Sequence, residues 1–220
     1  MSPHNINQAS QSRLTRIDHL VYATPDLARG VSEIEALTGV RASPGGQHLA
    51  WATHNCLYAL GPDIYLEIIA PDPTQPKPLG VRPFGIDSLR RSRLVTWAAR
   101  GAGLVHFVQA VELRGVILGE LFSGSRVLSD GDILAWQMTS PFSLLEGGLI
   151  PFFIDWGVSP HPAASATPGL SLVELRAEHP APQVLVHTFE VLGVSLPIRQ
   201  APTASLVATI MGPKGQIELR

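Results

Sequence analysis

Along this chain the spacing of apolar and polar residues changes period several times, and the same order of changes comes round again. From Ile17 to Ala23 (IDHLVYA) the alternation has a period of two, which predicts a strand with Ile17, His19 and Val21 on one face and Asp18, Leu20 and Tyr22 on the other. The period then lengthens. Thr24 stands as an N-cap with Pro25 at the first helical position, and Leu27, Val31, Ile34 and Leu37 follow at helical spacing up to Gly39. Strand-like runs come next around HLAWATH, NCLYALG and IYLEIIAP, with Gly45-Gly46 and Gly61-Pro62-Asp63 as turn signals. The first 72 residues thus predict β-α-β-β-β.

A second such succession starts at RLVTWAA (Arg93 to Ala99), continues through the helical stretch LVHFVQAVELRGV, and ends in runs around SRVL, DILAWQMT and LIPFFIDWG. A third starts at SLVELRAEHPAP, where Pro180 and Pro182 open a helix QVLVHTFEVLGV that closes at Gly193 much as the first closes at Gly39. Starts near residues 17, 94 and 172 lie about 77 residues apart, which points to one repeated supersecondary unit. The stretches PDPTQPKPLG and VSPHPAASATPG between units read as linkers. The expected fold class is α+β. A helix buries one face of each small sheet, so the opposite face must be covered by a second copy or wrap around a ligand, and pairing two units creates a cleft.

Composition narrows the function classes. With 220 residues, 45% of them hydrophobic and 15% charged, the chain buries a substantial core. The net charge of −2 and the scatter of the basic residues argue against nucleic acid or an anionic membrane, and leave a small molecule or a second copy of the chain, as a homodimer, as the expected partner. Cys56 is the one cysteine, so neither a disulfide within the chain nor a cysteine-based zinc cluster is available. The polar residues 1–14 read as a flexible tail without the apolar core of a secretory signal, and no apolar run is long enough to span a bilayer. A reducing, cytoplasmic setting is expected.

These features resemble the vicinal oxygen chelate superfamily, which includes glyoxalases, bleomycin-resistance proteins and ring-opening dioxygenases. IDHLVYATPDL and YLEIIAPD carry the wider resemblance; GGQH, THN, SRVLSDGDILAW and PFFIDW are similar to its glyoxalase-like subfamily. The resemblance covers roughly residues 15–157 and implies paired βαβββ modules that form curved, barrel-like mixed sheets with the helices outside, residues 158–220 being an additional module of the same type. It further implies a divalent metal (Zn, Mn, Fe or Ni) held by one residue from the first strand and one from the fourth strand of each paired module. Carried onto this chain, the first module supplies His19 and Glu67. In the second, Thr96 and Trp97 are poor donors and Asp155 is the one candidate, whereas the third offers Glu174 and Glu218. Pairing of units one and three would complete a site of His19, Glu67, Glu174 and Glu218; pairing of one and two would leave it incomplete.

The implied activity is metal-assisted isomerase, lyase or ring-opening chemistry on a small oxygen-rich substrate. In it Glu67 or Glu218 moves the proton, and His19, Glu67 and Glu218 ligate the metal. His48, Asn55, Tyr65, Arg126, Trp136, Asp155 and Trp156 are the expected substrate-binding residues. The competing reading is a metal-free protein that sequesters a hydrophobic ligand, supported by Trp51, Trp97, Trp136 and Trp156. On residue chemistry alone, His19 also fits a strand histidine hydrogen-bonded in a core, and Glu67, shared with Tyr65 and Ile69 on one strand face, is costly to bury without a partner. His106, His161 and His187 read as structural or exposed. The chain contains no GxSxG elbow, phosphate loop, dinucleotide fingerprint or HExxH helix.

Overall fold

The computed structural model describes residues 16–127 and 133–220, so the expected tail at 1–14 lies outside the described residues. β1 (Ile17–Ala23) leads into α1 (Leu27–Thr38), β2 (Ser43–His48), β3 (Thr53–Gly61) and β4 (Ile64–Pro71). The second unit follows as β5 (Arg93–Arg100), α2 (Leu104–Glu112), β6 (Leu121–Val127), β7 (Ile133–Thr139) and β8 (Phe152–Asp155). The third consists of β9 (Ser171–His179), α3 (Gln183–Leu192), β10 (Ile198–Gln200), β11 (Ser205–Gly212) and β12 (Gly215–Leu219).

Two local expectations are corrected. The N-cap of α1 is Asp26, whose carboxylate accepts from the Arg29 backbone N–H, while Thr24 hydrogen-bonds to Asp26 and sets the turn before it. Pro25 thus precedes the cap instead of occupying the first helical turn. Gly39 ends α1 as expected, in the left-handed region at φ 79°. Second, Gly45-Gly46 lies within β2, and the tight turn falls at residues 49–52. A Cβ at Gly45 would sit 2.0 Å from Asn55 Oδ1, so a glycine there serves close approach of β2 to β3.

Strands β2-β3-β4-β1-β5-β8-β7-β6 form one eight-stranded sheet. Within each half the first strand runs parallel to the fourth, β1 with β4 and β5 with β8, and the halves join through the antiparallel pair β1–β5. Units one and two are therefore the pair. The sheet curls until its edge strands β2 and β6 come into contact, forming a half-barrel.

The third unit repeats the order of elements but not their wiring. Its separate sheet runs β10-β9-β11-β12, with β9 between β10 and β11 and β12 on an outer edge. Because β9 already occupies one edge of β11, the tight hairpin at Gly212–Gly215 can place β12 only on the other. The expectation of a third module of the same type is corrected to this extent.

The two faces of the large sheet bury different sets of side chains. Leu20, Ile34, Leu66, Trp97 and Leu104 pack on the helical side in one continuous core with Leu175, Phe189 and Ile210 of the third unit. Val21, Ile69, Val95, Met138, Phe152 and Ile154 line the concave side. The stretch VSPHPAASATPG is no free linker. Thr167 pairs with β3, its carbonyl accepting from Ala59 N–H at 2.8 Å and its N–H donating to Ser43 Oγ at 3.1 Å, so the segment straps the first half of the sheet.

Candidate functional site

The concave face holds a cavity between the two halves. β1 and β4 contribute His19, Tyr65 and Glu67; β7 and β8 contribute Trp136, Met138, Phe152 and Ile154. It offers about 50 Å³ to the centres of water molecules. That volume admits a few waters or one small functional group, since a single water needs about 10–15 Å³ on this measure.

His19 is 3% exposed, with its ring stacked on Tyr65 at 4.5 Å and met edge-on by Phe152 at 5.4 Å. Its Nδ1 lies 2.9 Å from Asp18 Oδ1. Strict alternation would turn Asp18 to the opposite face; the β1–β5 pairing is irregular between Ile17 and His19, and the carboxylate reaches the cavity side. There it also accepts from Arg100 Nε at 3.0 Å, from Trp156 Nε1 at 3.2 Å to both oxygens, and from His161 Nε2 at 3.2 Å. Burial alone would push this carboxyl up, but the hydrogen bonds from His161 and His19 outweigh it and hold Asp18 far below the ordinary carboxylate range.

An ionised carboxylate accepts only, so the histidine nitrogens facing it carry the hydrogens. His161 is then the Nε2–H tautomer, consistent with its Nδ1 accepting from the Ala163 backbone N–H at 3.3 Å. His19 carries a hydrogen on Nδ1, and Nε2 is the nitrogen left for the cavity.

Glu67 is 7% exposed in the centre of β4 and accepts from Asn55 Nδ2 at 2.6 Å. Asn55 is itself fixed, its Oδ1 accepting from Gly46 N–H at 2.8 Å. His48 closes the group, with Nδ1 2.9 Å from Thr53 Oγ1 and Nε2 3.5 Å from Asn55 Nδ2. A side chain that orients the carboxylate is thus held by the β2 backbone.

Of the residues expected from the sequence, His19, His48, Asn55, Tyr65, Glu67, Trp136 and Trp156 come together around the cavity. Glu218 does not. It lies on β12 in the small sheet, 2.8 Å from Arg176 and 3.4 Å from Arg220, while Glu174 pairs with Arg176 and Arg199. Arg176 is 5% exposed, and these carboxylates neutralise it; Glu218, expected as a catalytic residue and metal ligand, is placed in this ion-pair cluster and not at the cavity. Asp155 accepts from the Gly103 and Gly157 backbone N–H groups and does not line the cavity. Arg126 pairs with Leu134 across β6 and β7, and its side chain lies outside the described residues. Trp97 is in the other core, donating to the Leu149 carbonyl.

Asp18, Arg100 and His161 escaped sequence reasoning. The adjacent pair Asp18-His19 at a strand start was the available signal for the first; nothing local marked a loop histidine 143 residues away as its partner.

The described residues do not make a complete divalent-metal site. His19 and Glu67 are suitable donors. Leu27 and Leu104 open the paired helices 77 residues apart, and the same step carries Val21, opposite Glu67, onto Ala98, opposite Phe152. A phenyl ring therefore stands where the second carboxylate would be. Among the described residues no group of three His, Cys, Asp or Glu side chains is placed to hold an ion.

Paired βαβββ units around a cavity lined by a first-strand histidine and a fourth-strand glutamate define a protein of the vicinal oxygen chelate class. The glyoxalase-like domain family matches residues 17–193, and the chain belongs to that family. A hypothetical protein from Staphylococcus aureus shares the fold with a TM-score of 0.62 at 14% identity, over 86% of this chain and 87% of that one, a share that reaches into the third unit. A methylmalonyl-CoA epimerase in complex with methylmalonyl-CoA and NH4+ aligns at a TM-score of 0.43 and 18% identity, over 67% of this chain and 99% of its own. The methylmalonyl-CoA epimerase from Mycobacterium tuberculosis aligns at 0.44 and 16%, over 72% and 97%. No curated protein matches significantly. Among the described residues no helix is long and apolar enough to cross a membrane.

Proposed function

We propose that the protein is a glyoxalase-like isomerase that moves a proton at a carbon next to a carbonyl in a small, oxygen-rich substrate. The observation that carries this reading is the pairing of Glu67 with the His19–Asp18 couple in one small cavity whose other walls are largely aromatic and apolar. Two buried proton-carrying groups facing the same space have no packing purpose there.

Glu67 takes the proton from carbon, with Asn55 fixing one oxygen so that the other meets the substrate. His19, reacting as the imidazolium that the Asp18 carboxylate stabilises, gives its Nε2 proton to the substrate oxygen on which charge develops and is left as the Nδ1–H imidazole. Tyr65 and Phe152 clamp the ring and keep water from it. Among the described residues no Lys or Arg lines the cavity. No step is assigned to a metal, because the donor set is half of one.

Hydroxyacetone in D2O tests the reading. NMR should show protein-catalysed loss of its hydroxymethyl protons above the buffer rate, reduced about 100-fold or more in His19→Ala. Exchange at the buffer rate, or exchange indifferent to His19, would contradict it. The aromatic walls favour a second reading, a binding protein that sequesters a ligand without turnover; saturable binding with no exchange would select it.

A further inference from the structure

A second concavity adjoins the cavity and shares His48, Trp51 and Trp136 with it. It measures about 780 Å³, against about 50 Å³ for the cavity, which puts it within the 300–1,000 Å³ of ordinary small-molecule sites. Its surface combines aromatic and aliphatic side chains with the polar Gln47, His48, Ser123 and Ser125. Trp136 lies against Gly124, where a Cβ would come within 2.5 Å of the indole, so the glycine is what lets the ring lie flat. Trp51 and Phe122 are half-buried and linked through Phe142, with ring centroids 6.2 and 5.3 Å away. Leu49 and Ile133 stand 77% and 66% exposed beside them.

Among its described residues this groove carries no Lys, Arg, Asp or Glu. Its aromatic and aliphatic surface matches an apolar segment. The groove adjoins a cavity that admits only a small group, so one molecule can place such a segment in the groove and its reacting group in the cavity. We propose that the groove binds the acyl-chain or aromatic tail of the substrate whose carbonyl end enters the cavity, so that the substrate is an amphiphilic hydroxyketone-like compound. This rests on the proton-transfer reading above for the head of the molecule and on the groove alone for its tail.

The test compares hydroxyacetone, 1-hydroxy-2-octanone and 2-hydroxyacetophenone in two assays, solvent deuterium exchange by the protein and quenching of its tryptophan fluorescence. Affinity should rise about threefold to fourfold per added methylene until the groove is filled, and kcat/KM for exchange should rise with it. Trp136→Ala and the surface variant Leu49→Lys should each bring the ratio of octanone to acetone towards one. If 1-hydroxy-2-octanone binds with the predicted gain and no exchange occurs, the tail site stands and the proton-transfer reading falls. Exchange that is indifferent to chain length overturns the tail site alone. Methylmalonyl-CoA displacing 1-hydroxy-2-octanone would likewise overturn it, as would a dimer by sedimentation that Leu49→Lys converts to monomer, because the groove would then hold a charged carrier or a second copy.

Discussion

Asp18 is fully buried, and its carboxylate accepts hydrogen bonds from four side chains drawn from β1, β5 and the segment after β8. Asp18→Asn presents an amide N–H to donors and leaves the Arg100 charge without its partner, so a loss of about 3 kcal/mol in urea unfolding at pH 7 is expected. The pH dependence has a definite sign. The folded-state pKa is depressed below the ordinary 3.8, so Asp18 contributes stability above that value and loses it as pH falls through the lower, folded value. The stability gap between wild type and Asp18→Asn should hold from pH 7 to pH 5 and narrow below pH 4; a gap unchanged at pH 3 would contradict the assignment. At this scale His19 and Glu67 were legible because each interrupts an apolar strand. Asp18 was not, because alternation assigns it to the wrong face and only the irregular pairing after Ile17 turns it back.

At the scale of elements, period and turn chemistry located most strands and all three helices, and missed features decided by neighbouring strands. The start of α1 is one. Asp26→Ala removes the oxygen that accepts from Arg29 N–H and should cost about 1 kcal/mol, measured by thermal unfolding, with little effect on deuterium exchange since the cap lies outside the cavity. No loss of stability would return the capping role to Thr24. β2 is another: its glycines signal a turn when read locally, yet Gly45 is there because Asn55 comes too close for any Cβ. The proline-rich strap after β8 reads as a linker for the same reason. Its pairing with β3 and its histidine on Asp18 depend on residues more than a hundred positions away.

For the whole molecule, the repeat of about 77 residues revealed the order of elements, but strand order decided which units share a site. β1 against β5 places the second unit beside His19, and with it Phe152 and Ile154 where further donors would stand. The third unit covers the convex side instead. Leu175, Leu185, Phe189 and Ile210 share one core with Leu20, Ile34 and Leu66, so a chain ending at residue 170 would expose that core to water. It should be insoluble or lack a cooperative thermal transition; a soluble fragment with the full-length midpoint would show that the third unit folds apart from the site.

The claim at the centre of this account is that the proton-handling carboxylate is Glu67 on the concave face and not Glu218 on the small sheet. Deuterium exchange into hydroxyacetone by Glu67→Gln and by Glu218→Gln, compared side by side with the parent chain, tests it directly. The account predicts a loss of about 100-fold or more for Glu67→Gln and a parental rate for Glu218→Gln, whose only described partners are Arg176 and Arg220. Full exchange by Glu67→Gln, or its loss in a folded Glu218→Gln, would contradict it.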